Sequence, residues 1–391
     1  MKVATSLVLG SRAAPKLATQ AVTQAMQKAD IGVANSVFLL LTSEFANDPD
    51  PSIRAAAKAA QCTQVMGCSA TGIFTEEDWV LDSPAVAAMV FGDDVHLHTG
   101  KNVLQNNAYT QPWLTLTAPN AINSTWLNNG SPRYGGVSGD ATGQGPFSVW
   151  QNAKGEVSGY VDAFFTGVKM ATKPSHGLQL LTTPQCIVEV NGYDVVTLSS
   201  NEPSDLEWLM QEKLHLKNVR PPLIKLQKAW QLHCSELKKP ITTAIPLHLM
   251  MAVYADSAEA ILQGNYQQAN LIGINETNNI ITLAQPLQAG QFISWALRSQ
   301  AVAEADLMLV STQLAEELVS QPDFGILFSC LGRGPYFYDG IDKDLKVLTH
   351  QFPKMPLIGF YGNGEISCLN SVNQLLPYSA VLSLFSALAN E

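Results

Sequence analysis

The sequence lacks most of what would assign it at a glance. Only 14% of its 391 residues are charged, too few for a disordered chain, a coiled coil or a heavily solvated helical surface. Lys and Arg number 23 against 33 Asp and Glu, a formal net charge of -10, and this disfavours nucleic acid, whose phosphates are bound by clustered basic residues. The nearest approach to such a cluster, Lys213 to Lys239, reads as a solvated helical face. No apolar run has the length of a membrane span, and Val3 to Gly10 is too short for a secretory core. The expectation is a cytoplasmic protein with no membrane insertion. Its six cysteines are widely spaced without a Cys-x-x-Cys pair, which fits reduced thiols.

Catalytic motifs are missing as well. There is no Gly-x-x-x-x-Gly-Lys-Ser/Thr phosphate loop, no Gly-x-Ser-x-Gly elbow and no His-Glu-x-x-His pair, so common nucleotide enzymes, serine hydrolases and zinc proteases lose support. His96-x-His98 lacks a third ligand and reads as two histidines on one strand face. A non-enzyme is expected. The alternative is a cysteine-dependent enzyme using Cys68 or Cys330, the two thiols at strand ends beside glycine turns.

What is present is an apolar fraction of 46%, ample for a large core divided into two parts. Strands are read at Val3 to Leu9, Ser36 to Thr42, Gln64 to Cys68 and Val86 to Phe91, with helices opened by Pro15 and by Asp48-Pro49-Asp50-Pro51 between them. From Val95 to Leu198 shorter alternating runs follow, including a hairpin at Asn191-Gly192. Ser204 with Glu207 forms a capping box. Pro221-Pro222 is read as the break between the two parts. Beyond it come a helix through Trp230, strands at Leu247 to Tyr254, Asn279 to Ala284 and Phe292 to Leu297, and a helix from Ser299 to Val319. Strands at Phe324 to Cys330, Pro356 to Tyr361 and Tyr378 to Phe385 close the chain. The fold class is therefore α/β, with mixed sheets, parallel elements and glycine turns at strand ends. The two ends share one order of elements, which suggests an internal duplication.

Two glycine turns stand out, Ser329 to Gly334 and Gly359 to Glu365. Each follows an apolar strand, so backbone amides, one arginine and one carboxylate can converge at the strand ends. Arg333 would pair with a ligand carboxylate and Glu365 with an ammonium, as an amino acid is clamped. The competing reading pairs Arg333 with Glu365 across the turns. Gly67 to Gly72 is a fainter counterpart, and the candidate ligand residues are Gly67, Cys68, Ser69, Asp140, Cys330, Arg333, Asn363 and Glu365.

Leu39 to Phe45, Gly67 to Gly72, Gly135-Gly136 with Asp140, Ser175-His176-Gly177, Phe328 to Gly334, and Gly359-Phe360 with Asn363 to Ile366 together resemble the FIST proteins. These are the F-box and intracellular signal transduction sensory domains, here with an N-terminal part over 33–225 and a C-terminal part over 226–370. The resemblance implies a stand-alone sensor that binds a small ligand, an amino acid among the candidates, and acts on a separate partner such as a histidine kinase. Some members bind haem and respond to nitric oxide, which implies haem as a second reading with His176, His248 or His350 as axial ligand. The chain departs from the family pattern at Val137 to Asp140 and at Leu178 to Leu181.

Overall fold

In the computed structural model, residues 1–99, 111–139, 144–199, 219–240 and 244–388 are described. They form two units, Met1–His176 with Glu304–Glu391, and Gly177–Ala303. The spatial division is thus not the sequential one at 225/226, because the second unit interrupts the first. Pro221-Pro222 opens the helix Pro222–Glu236, with Pro221 at its N-cap, rather than separating the units. The capping box at Ser204 and Glu207 lies outside the described residues, as does Asp140.

The first unit begins with β1 (Val3–Leu9), the helix Pro15–Ala29, β2 (Ser36–Thr42) and the helix Asp50–Ala60. Then come β3 (Val65–Ala70), β4 (Gly72–Thr75), β5 (Trp79–Leu81) and β6 (Ala85–Phe91). Proline in the first turn starts both helices, and residues in the left-handed region, Asp30 and Gln61, end them. All seven residues of β2 are buried, as an apolar run flanked by other strands requires. One expectation is corrected here. β3 does not stop at a glycine turn after Cys68 but runs on to Ala70, with Gly67 in its interior. A Cβ on Gly67 would lie 1.6 Å from the Leu39 carbonyl oxygen and 2.8 Å from the Trp150 indole nitrogen. The glycine serves close approach of packed groups, not a turn.

Seven strands follow: β7 (His96–Thr99), β8 (Trp113–Thr117), β9 (Arg133–Val137), β10 (Val149–Gln151), β11 (Lys154–Gly155), β12 (Tyr160–Thr166) and β13 (Val168–Ser175). The second unit holds β14 (Leu178–Leu180), β15 (Gln185–Asn191), β16 (Asp194–Ser199), β17 (Val219–Arg220), β18 (Met250–Ala255), β19 (Gln267–Asn275), β20 (Ile280–Leu283) and β21 (Phe292–Arg298). In it β18, β21, β15, β16, β20 and β19 pair in turn and β19 returns to β18, all antiparallel. This closed ring leaves none of those strands as a free edge. Leu223, Leu226 and Trp230 of the helix Pro222–Glu236 share its core with Val195, Ile281 and Trp295.

The helix Gln300–Leu318 leads back to the first unit. There β22 (Phe324–Cys330), the helix Lys343–Gln351, β23 (Leu357–Gly362), β24 (Glu365–Leu369), β25 (Val372–Leu376) and β26 (Ala380–Ala387) complete the described chain. The unit has three six-stranded sheets, ordered β1-β6-β2-β3-β10-β11, β13-β26-β22-β23-β4-β5 and β25-β24-β9-β8-β12-β7. Phe38 and Leu40 of the first, Phe324 and Phe328 of the second, and Leu114 and Tyr134 of the third meet in one core. Helices cover the opposite faces of the first two sheets. Pairing is mostly antiparallel, with parallel pairs at β2–β3, β8–β9 and β22–β23.

The two halves of this unit repeat one design. β1-β6-β2-β3 and β13-β26-β22-β23 have the same order and the same pattern of directions. β2 and β22 are each 7 residues long and each runs directly into a 3-10 turn, Ser43–Phe45 and Leu331–Arg333. Leu39 faces Gly67 in the first parallel pair, and Leu327 faces Gly359 in the second. A Cβ on Gly359 would lie 2.0 Å from the Leu327 carbonyl oxygen, the same obstruction met at Gly67. In sequence, the second unit is inserted after the first strand of the second repeat.

Candidate functional site

The candidate site lies where β22 and β23 end and β24 and β26 begin. β22 delivers Cys330, and the 3-10 turn that follows turns Arg333 inward until it is 1% exposed. The guanidinium is bound on every side. Its Nε donates to Asp344 Oδ2 at 2.7 Å and its Nη2 to Asp344 Oδ1 at 3.2 Å. Nη1 donates to the Ser175 carbonyl at 2.7 Å and Nη2 to Ser175 Oγ at 2.9 Å. Burial alone would favour loss of the proton, but Asp344, Tyr338 and Asp306 together outweigh it and hold the guanidinium above its ordinary pKa.

Further donors complete this network. Tyr338 donates its hydroxyl to Asp344 Oδ1 at 2.8 Å, Ser175 Oγ donates to Asp306 Oδ2 at 2.6 Å, and Tyr361 donates to Asp342 Oδ2. Asp342 also caps the helix Lys343–Gln351 by accepting from the Leu345 amide at 2.8 Å. Burial, then the neighbouring Asp344, pushes the Asp342 carboxyl up to about 6. Each of these carboxyl groups has a donor.

Glu365 lacks a side-chain donor. It is 1% exposed, and the one group directed at its carboxyl, the Ser379 backbone amide, falls outside ordinary hydrogen-bond geometry. Burial drives its pKa well above the ordinary carboxyl value, opposed only in part by the field of Arg333 and of the Ser379 amide. Burial thus favours the neutral form of this acid, which has no side-chain partner in the protein interior. Arg333 and Glu365 form neither the amino-acid clamp nor the mutual pair that their positions in sequence suggested, because Asp344 and Ser175 occupy the arginine.

Around Glu365 the sheet sets a row of polar side chains. Ser175 faces Ala380 and Ser329 faces Ala380 across β26, so one step further His176, Ser379 and Cys330 stand side by side. The Cys330 amide donates to the Ser379 carbonyl at 3.0 Å, and His176 Nδ1 lies 3.3 Å from Ser379 Oγ. All three are buried. The exposed Asn363 holds the turn to β9, its amide donating to the Val137 carbonyl at 3.0 Å.

The remaining sequence candidates lie elsewhere or do other work. Gly67 is a packing glycine. Cys68 is enclosed in the core, and burial pushes its thiol pKa far up, against the thiolate that a nucleophile needs. Ser69 fastens the chain after β9: Ser138 Oγ donates to its carbonyl at 2.6 Å, and its own Oγ accepts from the Ser148 amide at 3.0 Å. Of the haem candidates, His248 is exposed in the 3-10 turn Leu247–Leu249 rather than inside a strand, and His350 is exposed in the last turn of its helix. His176 is buried, but beside Ser379 and Cys330 rather than against the apolar walls a haem seat needs. The residues do not fit haem.

Sequence reading missed Tyr338, Asp342, Asp344 and Ser379, and met Ser175 only within the Ser175-His176-Gly177 motif. A signal was present for Asp342, since Asp-Lys-Asp ahead of an amphipathic run marks a helix start.

Residues 226–368 match the FIST C domain, so the chain contains the C-terminal FIST part, the part that carries Cys330, Arg333, Asn363 and Glu365. That domain marks a family of sensors in signal transduction. Similar chains extend further. An uncharacterised protein of Mycobacterium tuberculosis is 23% identical over 375 residues, covering 90% of this chain and 92% of its own length. An uncharacterised protein of Mycobacterium bovis is 24% identical over 258 residues, 66% of this chain and 61% of its own. F-box only protein 22 of Pongo abelii is 39% identical over 57 residues, 14% of each chain. Among the described residues, no helix is long and apolar enough to cross a membrane.

Proposed function

We propose that this protein is a cytoplasmic small-ligand sensor, not an enzyme, whose ligand contacts Glu365 at the strand ends of the second repeat. On this reading its N-terminal part is the FIST N-terminal domain, and the liganded protein acts on a separate signalling partner such as a histidine kinase. The observation that carries the reading is the unpartnered carboxyl of Glu365. A buried acid without a hydrogen bond costs about 1–3 kcal/mol relative to a satisfied or apolar side chain. A ligand that supplies the missing partner recovers that cost and so couples binding to the surrounding strands.

The first repeat acts as an internal control. Registers place Leu9, Ala85, Thr42 and Phe45 where the second repeat has His176, Ser379, Cys330 and Arg333. Mostly apolar residues satisfy the same fold, so the fold itself does not demand the polar set.

A metabolite thermal-shift screen on the wild type and on Glu365→Gln tests the proposal. Ligand binding to the native state raises the melting temperature, and the shift produced by an active compound is expected to vanish in the variant. A library with no active compound, or shifts equal in both proteins, would remove the proposal.

A further inference from the structure

We propose that the second unit carries a ligand site of its own, a cleft that takes a planar aromatic carboxylate without an ammonium group. The site is separate from Glu365, since every residue that lines it belongs to Gly177–Ala303. The cleft holds about 600 Å³, a volume ordinary for small-molecule sites. The helix Pro222–Glu236 brings Trp230 and His233 to it, three residues apart and so on one helical face. The end of β21 brings Leu297, held in register by Gln179 of β14. Trp230 and Leu297 belong to the core of the strand ring, and Leu249, also lining the cleft, packs against that core. The cleft thus opens onto the margin of an apolar interior.

His233 carries the proposal. It is 7% exposed, and its ring lies against Trp230 with centroids 5.5 Å apart and planes at 33°. Among the described residues neither ring nitrogen has a hydrogen-bond partner. An imidazole has nitrogens on both edges to satisfy, and native folds seldom leave such groups unmatched when buried. Because His233 lines the cleft, a molecule held there can reach it. The charge of that molecule follows from the rim. Lys239 is exposed and makes no ion pair among the described residues; Arg298 is the other cation lining the cleft, and the exposed Glu236 is the one acid among the lining residues. A carboxylate accepts from an imidazole N–H and from an ammonium, whereas a cation would meet two like charges and one hydrated carboxylate. The aromatic pair Trp230–His233 favours a flat ring as the ligand's body over an alkyl chain. In the basic stretch Lys213 to Lys239, which reads in sequence as a solvated face, these two residues are buried.

The test titrates naphthoate, naphthamide, naphthylmethylammonium and octanoate into the full chain at pH 7 by calorimetry, with His233→Phe, Lys239→Glu and Glu365→Gln beside the wild type. Naphthoate is expected to bind the wild type best of the four. His233→Phe keeps a ring against Trp230 but removes both nitrogens, and should weaken naphthoate about tenfold. Lys239→Glu, at an exposed position that folding does not depend on, should weaken it severalfold and decides the matter if His233→Phe does not fold. Glu365→Gln should bind as the wild type does. Equal affinity in wild type, His233→Phe and Lys239→Glu would overturn the proposal, as would preference for any of the other three probes, loss of binding in Glu365→Gln, or no binding of naphthoate at millimolar concentration. A thermal shift shared by wild type and Glu365→Gln but reduced in Lys239→Glu reports this cleft, so its outcome is distinguishable from that of the Glu365 reading.

Discussion

Replacing Glu365 by isoleucine should make the protein more stable. The wild type buries a carboxyl whose oxygens have no hydrogen-bond partner, and relieving that is worth about 1–3 kcal/mol. Isoleucine also suits a buried strand start. A gain of this size raises the melting temperature by about 2–4 °C per kcal/mol in a unit of this length. The pH dependence is more diagnostic. Because the folded pKa of Glu365 lies above the unfolded value, the folded state binds the extra proton. Its contribution to stability is therefore greatest below the ordinary carboxyl pKa and falls as pH rises from there towards the folded value, by about 1.4 kcal/mol per pH unit. Glu365→Gln, which cannot titrate, should gain on the wild type as pH rises from the ordinary carboxyl value towards the raised folded one. Urea unfolding of the three proteins at both ends of this range measures the effect. A Glu365→Ile variant weaker than wild type by about 2 kcal/mol, or a wild-type advantage over Glu365→Gln that grows with pH, would mean that Glu365 is ionised and paired. The reasoning about the site would then fail.

Other perturbations probe the frame around it. Asp344→Ala strands a guanidinium that is 1% exposed and should cost about 3–5 kcal/mol in denaturant unfolding; a loss within experimental error would show that Ser175 alone holds Arg333. Gly67→Ala and Gly359→Ala each drive a Cβ into a carbonyl oxygen of the neighbouring parallel strand. Both should lose more than about 4 kcal/mol or fail to accumulate as folded protein, and a mild effect at only one would break the equivalence of the repeats. Cys68, its thiol pKa raised by burial, should resist iodoacetamide at pH 8 in the native protein and react once unfolded, as peptide mass mapping will read.

Much of this architecture is legible in the sequence because its strands are continuous apolar runs. Ser36–Thr42 and Phe324–Cys330 are buried along their whole length, and such runs bounded by proline or glycine admit little else. The hairpin at Asn191-Gly192 is legible for a local reason too, Gly192 taking a φ of 60° that glycine accepts freely. Pairing between distant segments is not legible. Nothing local says that β19 closes on β18, or that the second unit interrupts the first. At the site, glycine density points to the right strand ends but misleads about their chemistry. Arg333 reads as a ligand receptor because its partners are remote in sequence: Asp344 is 11 residues away and Ser175 is 158. Gly67 reads as a turn because sequence does not distinguish a glycine that bends from one that lets strands and side chains approach.

The repeats separate what the fold needs from what it merely carries. Both halves build the same four-strand order, the same parallel pair and the same 3-10 turn, and both place a glycine at the same register. Features common to both halves, such as Gly67 and Gly359, are explained by sterics alone. Features of one half need a further cause. The buried Arg333–Asp344 pair is a poor source of stability, since desolvation consumes most of its attraction, and Phe45 fills the corresponding turn of the first half without charge. The unpartnered Glu365 opposes folding outright. Selection for stability would replace both by apolar residues, as Phe45 shows to be permissible in the turn. The arrangement makes sense if the pair fixes the turn in place, so that the one carboxyl left without a donor is presented at a defined position to a molecule from outside the chain.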